Sequence, residues 1–350
     1  MTDPLTPLAR TVCDAMSAGF PAADAGARAL RAAARAGVGV APVREVASVT
    51  ETSAAGVRVR IYDGSAAADG APADASAPDG GARNAATTAD GSAPDDDARD
   101  TTAPADASAP DTSAPDAVAG PPVVVFFHGG GWVLCDLDTH DGLCRELAHR
   151  TGGLVVSADY RRAPEHRFPA AEDDAYAVLV WAAERYGGRP FVVAGDSSGG
   201  NLAAAVALRA RDRGGPALTG QLLFYPALDQ RLDGVSASAY AEGFFHTTAH
   251  MRWYWQEYLG PDGDPVAASP GLAPDLTALP PALVVLADCD PLRDEGLAYA
   301  RRLSAAGVLT QVQLHTGMFH GFLGAAGVLP EADTALGGAA AWLAAVGTPS

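Results

Sequence analysis

A glycine-rich hexapeptide between a predicted strand and a predicted helix is the strongest constraint on how this chain folds. It reads Gly-Asp-Ser-Ser-Gly-Gly and spans residues 195–200. The apolar run 190–194 before it is typical of a buried strand, and the Ala- and Leu-rich run 201–208 after it is typical of a helix. A strand, a G-x-S-x-G turn and a helix in this order form a nucleophile elbow, whose glycines permit a sharp turn. Ser197 is therefore the candidate nucleophile.

The neighbouring serine has a different predicted role. Ser198 is not the nucleophile of this motif, because Asp196 rather than glycine stands two residues before it. Its backbone N–H lies at the start of the predicted helix, where N–H groups and the helix dipole stabilise a developing negative charge. A simple Gly/Ser turn into a helix is the alternative interpretation of the hexapeptide.

A second glycine-rich motif, His128-Gly129-Gly130-Gly131-Trp132, directly follows the apolar run 123–127. Three consecutive glycines lose much conformational entropy on folding, so they indicate a specific requirement. Their N–H groups can converge on one oxygen, as an oxyanion hole requires. A flexible turn between a strand and a helix is the alternative. We expect His128 to hold this loop rather than to act as a base.

Predicted strands and helices alternate along most of the chain. Short continuous apolar runs predict strands buried on both faces of a mostly parallel sheet, at 123–127, 154–156, 191–193, 222–224 and 283–286. Alternating segments predict an antiparallel pair at 43–49 and 57–62 and a strand nearer the edge at 311–314. Helical patterns lie near 138–150, 170–186, 199–213, 293–306 and 331–345. The expected fold is an open α/β sheet with helices on both faces and a site at the carboxyl ends of its strands.

A serine nucleophile needs a base and an acid that orients the base, and in this type of fold both follow the serine in the chain. Asp290 follows the strand at 283–286 and stands directly before a proline, which restricts its backbone. His320 follows the strand at 311–314 in a loop that contains glycine. Both loops leave the carboxyl ends of strands, so both can reach Ser197.

Other residues in these two loops compete for the same roles. Asp288 is the nearest alternative acid, and His315, predicted at the end of a strand, is the less favoured base. Asp294 and Glu295 are expected to cap the following helix or to place negative charge in its first turn.

Composition excludes several other catalytic chemistries. All 24 basic residues are Arg, so a Ser–Lys dyad, a pyridoxal-phosphate Schiff base and a P-loop lysine are excluded. The net charge of −18 argues against binding to nucleic acid or to an anionic membrane. The four cysteines have no metal-ligand spacing, so we expect free thiols in a reducing compartment and no metal or cofactor. Without a signal peptide or membrane-spanning run, the chain is predicted to be a cytoplasmic monomer or homodimer.

One long segment is predicted to lie outside the folded core. Residues 64–120 are almost wholly Ala, Asp, Pro, Ser, Thr and Gly, and one octapeptide occurs at both 72–79 and 104–111. Eleven Asp against two Arg supply about half of the net negative charge of the chain. With almost no large apolar side chains, such a segment cannot repay its ordering entropy. We expect a disordered insertion without a catalytic role, and a partner-binding segment is the alternative.

The chain resembles bacterial members of the hormone-sensitive lipase family of α/β-hydrolase esterases, in the subgroup with Asp before the nucleophile. The matching motifs follow one another at 128–132, 159–170, 195–202, 290–296 and 320–322. The resemblance implies a mostly parallel eight-stranded sheet flanked by helices, with a helical cap.

The resemblance also implies the roles of the site residues. Ser197 would be the nucleophile, His320 the general base and acid, and Asp290 the residue that orients His320. The N–H groups of Gly130, Gly131 and Ser198 would form the oxyanion hole, with Gly129 assisting.

The same resemblance divides the chain into a cap and a catalytic domain. Residues 1–42 would form N-terminal cap helices and 43–350 the hydrolase domain, with a second cap segment at 229–260. That segment is rich in aromatic residues, which are either core or pocket lining. The predicted substrate-binding residues are Phe244, Phe245, Trp253 and Trp132.

The expected activity is that of a serine carboxylesterase acting on small esters of short- to medium-chain acids. An amidase or a natural-product deacetylase would use the same three residues. A non-catalytic ligand receptor is a further alternative, although the presence of His320 argues against it.

Overall fold

The computed structural model describes residues 3–36, 44–65 and 120–347, and eight strands in these ranges form one sheet. The strands are β1 Ser48–Ala54, β2 Val57–Asp63, β3 Val123–Phe127, β4 Leu154–Ala158, β5 Phe191–Asp196, β6 Gly220–Phe224, β7 Ala282–Cys289 and β8 Thr310–Phe319. Their order is β1-β2-β4-β3-β5-β6-β7-β8. The pairs from β4 to β8 are parallel, whereas β2 is antiparallel to both of its neighbours. The expected eight-stranded, mostly parallel sheet is confirmed, with β8 at one edge.

Helices cover both faces of this sheet. They are α1 Pro7–Ser17, α2 Ala27–Ala36, α3 Asp141–Thr151, α4 Ala170–Arg185, α5 Ser198–Arg213, α6 Val235–Ala239, α7 Thr248–Leu259, α8 Arg293–Ala305 and α9 Pro330–Val346. Val125 and Phe127 of β3 pack into one apolar layer with α4, α5 and α8, and Val124 and Phe126 pack into the other with α1, α3 and α9. Because successive strand residues point to opposite faces, a continuous apolar run is what a strand covered on both sides requires.

The first strand was predicted too early in the chain. The alternating pattern indicated 43–49, but β1 runs from Ser48 to Ala54. The two-residue turn of Ala55 and Gly56, with φ values of 51° and 89°, fixes the hairpin register. Both left-handed residues are typical of the tight turns that connect antiparallel strands. Turn geometry, rather than the preceding alternation, therefore sets where this strand lies.

Two other predictions concern segments that are only partly described. Most of the predicted insertion, residues 66–119, lies outside the described residues. The division between a cap at 1–42 and a hydrolase domain remains a prediction, and residues 37–43 are also outside the described ranges. The N-terminal region reaches the sheet at β8, where the N–H of Thr6 donates to the carbonyl of Gly317. No helix within the described part of the chain combines the length and apolarity that crossing a membrane requires.

Candidate active site

Ser197 occupies a strained turn between β5 and α5. Its φ and ψ are 54° and −118°, a conformation that costs a residue with a side chain on the order of 1–3 kcal/mol. Hydrogen bonds hold it there. Its N–H donates to the carbonyl of Phe224 at 2.9 Å, and its own carbonyl accepts from the N–H of Ala227 at 3.0 Å. The end of β6 and the segment that follows it therefore fix the elbow.

The glycines of the elbow are required by close backbone contacts. A Cβ at Gly199 would overlap the carbonyl of Phe127, and one at Gly195 would overlap the backbone of Gly199. The elbow thus packs directly against the end of β3, where the His128–Trp132 loop begins. This packing explains why the elbow needs glycine at both positions.

A continuous hydrogen-bond chain links Ser197, His320 and Asp290. His320 Nε2 lies 2.9 Å from Ser197 Oγ, and His320 Nδ1 lies 2.8 Å from Asp290 Oδ2. The other carboxylate oxygen accepts the N–H of Leu292 at 2.8 Å. Asp290 is fully buried, and His320 and Ser197 are only 3% and 8% exposed. With Nδ1 donating to the carboxylate, Nε2 is left to accept the serine proton.

The alternative acid and base are occupied elsewhere. Asp288 faces Arg293, with 3.3 Å between its Oδ1 and the guanidinium. His315 lies within β8, and its ring packs 5.4 Å from that of Phe322. Among the described residues, neither side chain has a hydrogen bond to Ser197 or His320.

Asp294 and Glu295 lie in the first turn of α8, but they do more than place charge there. Asp294 accepts the N–H of Ser236 at 2.9 Å, and Glu295 accepts that of Leu228 at 2.6 Å. Burial raises the pKa of Glu295 well above its usual value. These carboxylates therefore connect α8 to the segment after β6 instead of capping their own helix.

The glycine loop offers fewer free N–H groups than predicted. Gly129 donates its N–H to Asp196 Oδ1 at 2.8 Å, so it is not available for an oxyanion. This corrects the expectation that Gly129 assists in the hole. Within the described ranges, the N–H groups of Gly130, Gly131 and Ser198 have no protein acceptor. These three remain the candidate donors.

His128 supports the loop, and it does not contact the serine. Its Nδ1 lies 2.8 Å from the carbonyl of Gly129, and its ring stacks on Tyr160 at 4.2 Å. Burial lowers the pKa of His128 to about 3, so the ring is neutral and Nδ1 can donate. Because a trans peptide points its C=O and N–H in opposite directions, this bond also fixes the direction of the Gly130 N–H.

Three of the four predicted substrate-binding aromatics lie elsewhere. Trp132 is 1% exposed and stacks on Tyr258 at 4.3 Å, so it belongs to the core between the glycine loop and α7. Trp253 packs beside that same core. Phe244 packs under the Arg10 guanidinium, 5.3 Å away. Burial of its large aromatic surface decides the position of Trp132, because core packing gains more than an exposed ring would.

Phe245 is the predicted aromatic that lies beside the loop of His320. Its ring contacts Gly321, where an added Cβ would lie 3.8 Å from it. Phe20 of the N-terminal region packs edge-on against this ring at 5.3 Å. The neighbourhood of His320 is therefore aromatic, as expected, although most of its members differ from those predicted.

Three aromatic residues at the site were missed. The His246 ring stands perpendicular to His320 at 5.6 Å, and the Tyr225 ring lies 4.9 Å from His320. Tyr254 fills the space above Gly131, and its hydroxyl is 3.4 Å from His246 Nδ1. Burial lowers the pKa of His246 well below its usual value.

Only one of the three carried a signal that could have been used. Tyr254 shares the inward face of α7 with Met251 and Tyr258, at helical spacings of three and four residues. His246 and Tyr225 lie in irregular segments, where no periodicity indicates direction.

Comparisons with known proteins agree with this geometry. A family model described as an α/β hydrolase fold matches residues 124–324. Esterase LipI of Mycobacterium tuberculosis is 46% identical over 228 residues, covering 62% of this chain and 70% of that protein. Ethyl acetate hydrolase of Pseudomonas putida is 36% identical over 230 residues, covering 63% and 71%. The solved structure of ester-hydrolase EH1AB1 from the Lake Arreo metagenome, complexed with a derivative of bipyridine phosphonate, has a TM-score of 0.76 and 34% identity over 97% and 98%.

The family match covers more than half of the chain, and it includes the glycine loop, the elbow and the proposed acid and base. The solved ester-hydrolase structure matches 97% of this chain. The chain therefore belongs to the α/β hydrolase family, in its hormone-sensitive lipase-like esterase group, and is a carboxylic ester hydrolase.

Proposed function

We propose that Ser197, His320 and Asp290 form a catalytic triad that hydrolyses small esters of short- to medium-chain acids through an acyl-enzyme. The observation that carries this proposal is the hydrogen-bond chain of 2.9 and 2.8 Å from the serine to a fully buried carboxylate. Three N–H groups without protein acceptors lie on the two loops beside the serine, and they support an oxyanion hole.

Acylation follows from these positions. Ser197 Oγ attacks the ester carbonyl while His320 Nε2 takes its proton. The carbonyl electron pair moves to the oxygen, which the N–H groups of Gly130, Gly131 and Ser198 stabilise. As the tetrahedral intermediate collapses, the C–O bond to the alcohol breaks and His320 protonates the departing alcohol oxygen.

Deacylation repeats the same proton transfers with water. His320 removes a proton from water as the water oxygen attacks the acyl-enzyme, and it returns that proton to Ser197 when the acid leaves. Asp290 stays ionised throughout and stabilises the imidazolium that forms twice in each cycle. Its second hydrogen bond, from the N–H of Leu292, keeps the carboxylate oriented.

The surroundings of the serine support a small acyl group. Phe20, Phe245, His246 and Tyr254 enclose the approach to His320 and Gly131, and Ser197 is only 8% exposed. An apolar acyl chain of short to medium length is what such an aromatic enclosure would accommodate. We also propose that the protein is a monomer or a homodimer, and light scattering would measure which of the two it is.

The first experiment measures hydrolysis of p-nitrophenyl esters from acetate to palmitate by the wild type, Ser197→Ala and His320→Ala. We expect turnover to be highest with short acyl chains, and kcat to fall by roughly a million-fold in the serine variant. Ser198→Ala is the matched control and should be nearly silent, because only its backbone N–H takes part.

Two outcomes would contradict the proposal. Near-wild-type hydrolysis by folded Ser197→Ala would show that another residue is the nucleophile. A folded wild type that hydrolyses p-nitroanilides but no ester would favour an amidase or deacetylase.

A further inference from the structure

A second buried carboxylate–histidine pair lies directly behind the proposed nucleophile. Asp196 Oδ1 is 3.1 Å from His140 Nε2, and the side chains are only 10% and 13% exposed. Neither residue contributes to the hydrogen-bond chain of the proposed triad. Burying a charged pair costs desolvation free energy, so the contacts of the pair indicate its role.

The carboxylate of this pair holds the glycine loop. Asp196 Oδ1 accepts the N–H of Gly129 at 2.8 Å, and a Cβ at Gly129 would overlap Asp196 Oδ2. The carboxylate is thus pressed against the peptide that leads into Gly130 and Gly131. Because Asp196 is covalently bonded to Ser197, one residue connects the nucleophile to the loop that faces it.

The histidine of this pair is itself held in place. His140 Nδ1 lies 3.0 Å from Thr139 Oγ1, which accepts the N–H of Asp136 at 2.8 Å. His140 precedes α3, so the hydrogen bonds run from the start of that helix through Asp196 to the glycine loop. His140 Nε2 also lies 3.3 Å from the nitrogen of Gly129, so the histidine and the carboxylate meet at the same peptide. Because an ionised carboxylate only accepts, a proton on Nε2 is donated towards Asp196.

Asp196 is ionised at neutral pH. Burial acts to raise the pKa of its carboxyl group, but His140 and the N–H of Gly129 act against it, and the pKa lies below the usual value. An ionised acceptor makes shorter and stronger hydrogen bonds than a neutral one.

We propose that Asp196 and His140 are positioning residues that fix the oxyanion loop relative to the nucleophile elbow. This inference rests on the proposed function and concerns the same site. The pair sets the peptide of Gly129, and this peptide in turn limits where the N–H groups of Gly130 and Gly131 can point. Since these donors act on charge that develops only in the transition state, loosening the pair should slow turnover without weakening substrate binding.

Three variants and one control test the pair with p-nitrophenyl acetate. Asp196→Asn and His140→Phe should lower kcat by about 10- to 100-fold, the scale expected of a misplaced hole, with KM changed by less than about threefold. His140→Gln should retain most of the activity, because its amide can still donate to the carboxylate. The control, Glu146→Gln on α3, removes a carboxylate of similar burial that pairs with Arg44 and Arg150. It should leave kcat unchanged.

An inhibitor pair separates positioning from general damage to the fold. Ser197 adds to the carbonyl of an aryl trifluoromethyl ketone; a C–O bond forms, the serine proton passes to His320, and the carbonyl pair becomes an oxyanion. The matching methyl ketone binds without this addition. In Asp196→Asn and His140→Phe, we expect Ki for the trifluoromethyl ketone to rise by the same factor by which kcat falls. Ki for the methyl ketone should stay constant.

The proposal is overturned if Asp196→Asn and His140→Phe keep wild-type kcat. It is also overturned if His140→Gln is as impaired as His140→Phe, or if both ketones lose affinity equally. If the wild type hydrolyses no ester, the proposed function fails instead. The trifluoromethyl ketone series still decides the role of the pair in that case, because adduct formation needs only the nucleophile and the hole.

Discussion

Strained backbone concentrates around the site at the scale of single residues. Trp132, Cys135, Ser197 and Tyr225 all have positive φ although they carry side chains. Each such conformation costs on the order of 1–3 kcal/mol and persists only where the surroundings enforce it. Gly130 and Gly131 adopt positive φ beside them without this penalty. Residue types in the two loops thus reflect backbone geometry as much as chemistry.

Gly131→Ala should impair the oxyanion loop. An added Cβ would overlap the Tyr254 ring, and the φ of 62° is unfavourable for alanine. We expect kcat to fall by about 100-fold or more, comparable to the loss of one hole donor, with some loss of stability. Steady-state kinetics and a thermal melt measure both effects.

A second glycine provides the matched control for that substitution. Gly142 lies in α3 with no atom within 4 Å of the added Cβ. Gly142→Ala should leave kcat unchanged and stabilise the protein by roughly 0.5–1 kcal/mol, since alanine favours a helix. Equal kcat values for the two variants would contradict the role given to Gly131.

Boundaries at the scale of elements depend on turns and helix starts more than on apolar pattern. Among the predicted strands β3 matches its range, whereas β7 and β8 continue past their predicted ends at 286 and 314 to Cys289 and Phe319. The helices around them begin within a few residues of expectation. The hairpin of β1 and β2 departs from its predicted range, because its register is set by the turn at Ala55 and Gly56.

Ala55→Asn should stabilise this hairpin. Ala55 has a φ of 51°, which disfavours alanine but is tolerated by asparagine, and Asn-Gly is the preferred sequence of such turns. We expect the free energy of unfolding to rise by about 0.5–1 kcal/mol in denaturant titrations. Ser53→Asn, at an exposed position within β1, should give no gain. Equal effects of the two substitutions would contradict the turn assignment.

The stability of the whole molecule depends on the two apolar layers on either side of the sheet. It also depends on polar groups that are buried near the site. His128 is fully buried in its neutral form at the junction of β3 and the glycine loop. Burying a histidine in this way makes the stability of the entire fold depend on pH.

The free energy of unfolding should fall as the pH is lowered, partly because of His128. Its pKa is about 3 in the folded protein against about 6.5 when unfolded, so between these values only the unfolded chain takes up the proton. Stability from this group is therefore present above pH 6.5 and is lost towards pH 3, by about 1.4 kcal/mol per unit.

His128→Asn isolates this contribution. The asparagine amide can still donate to the carbonyl of Gly129 but does not titrate in this range. The free energy of unfolding, measured by denaturant titrations between pH 4 and 6, should change less steeply with pH than in the wild type. The difference corresponds to the uptake of about one proton on unfolding. Parallel curves would show that His128 does not bind its proton differently in the two states.

Prediction from the sequence succeeded where chemistry is local. The strand, elbow and helix around Ser197 and the buried strands each follow from residue type and spacing within one segment. The order of serine, acid and histidine was instead expected from the type of fold. Asp290 and His320 were proposed because each lies in the segment after a predicted strand whose carboxyl end had to face the elbow, and their hydrogen bonds support that proposal.

The sequence by itself determined the fold class, the order of the elements and the candidate residues of the site, because periodicity, glycine geometry and chain order are local properties. Tertiary structure alone decided that Asp196 occupies the N–H of Gly129, that Trp132 is buried in the core, that His246 lies beside His320 and that Tyr254 packs against Gly131. These features depend on partners that are distant in the chain, and competition for burial and for hydrogen-bond partners selects among them.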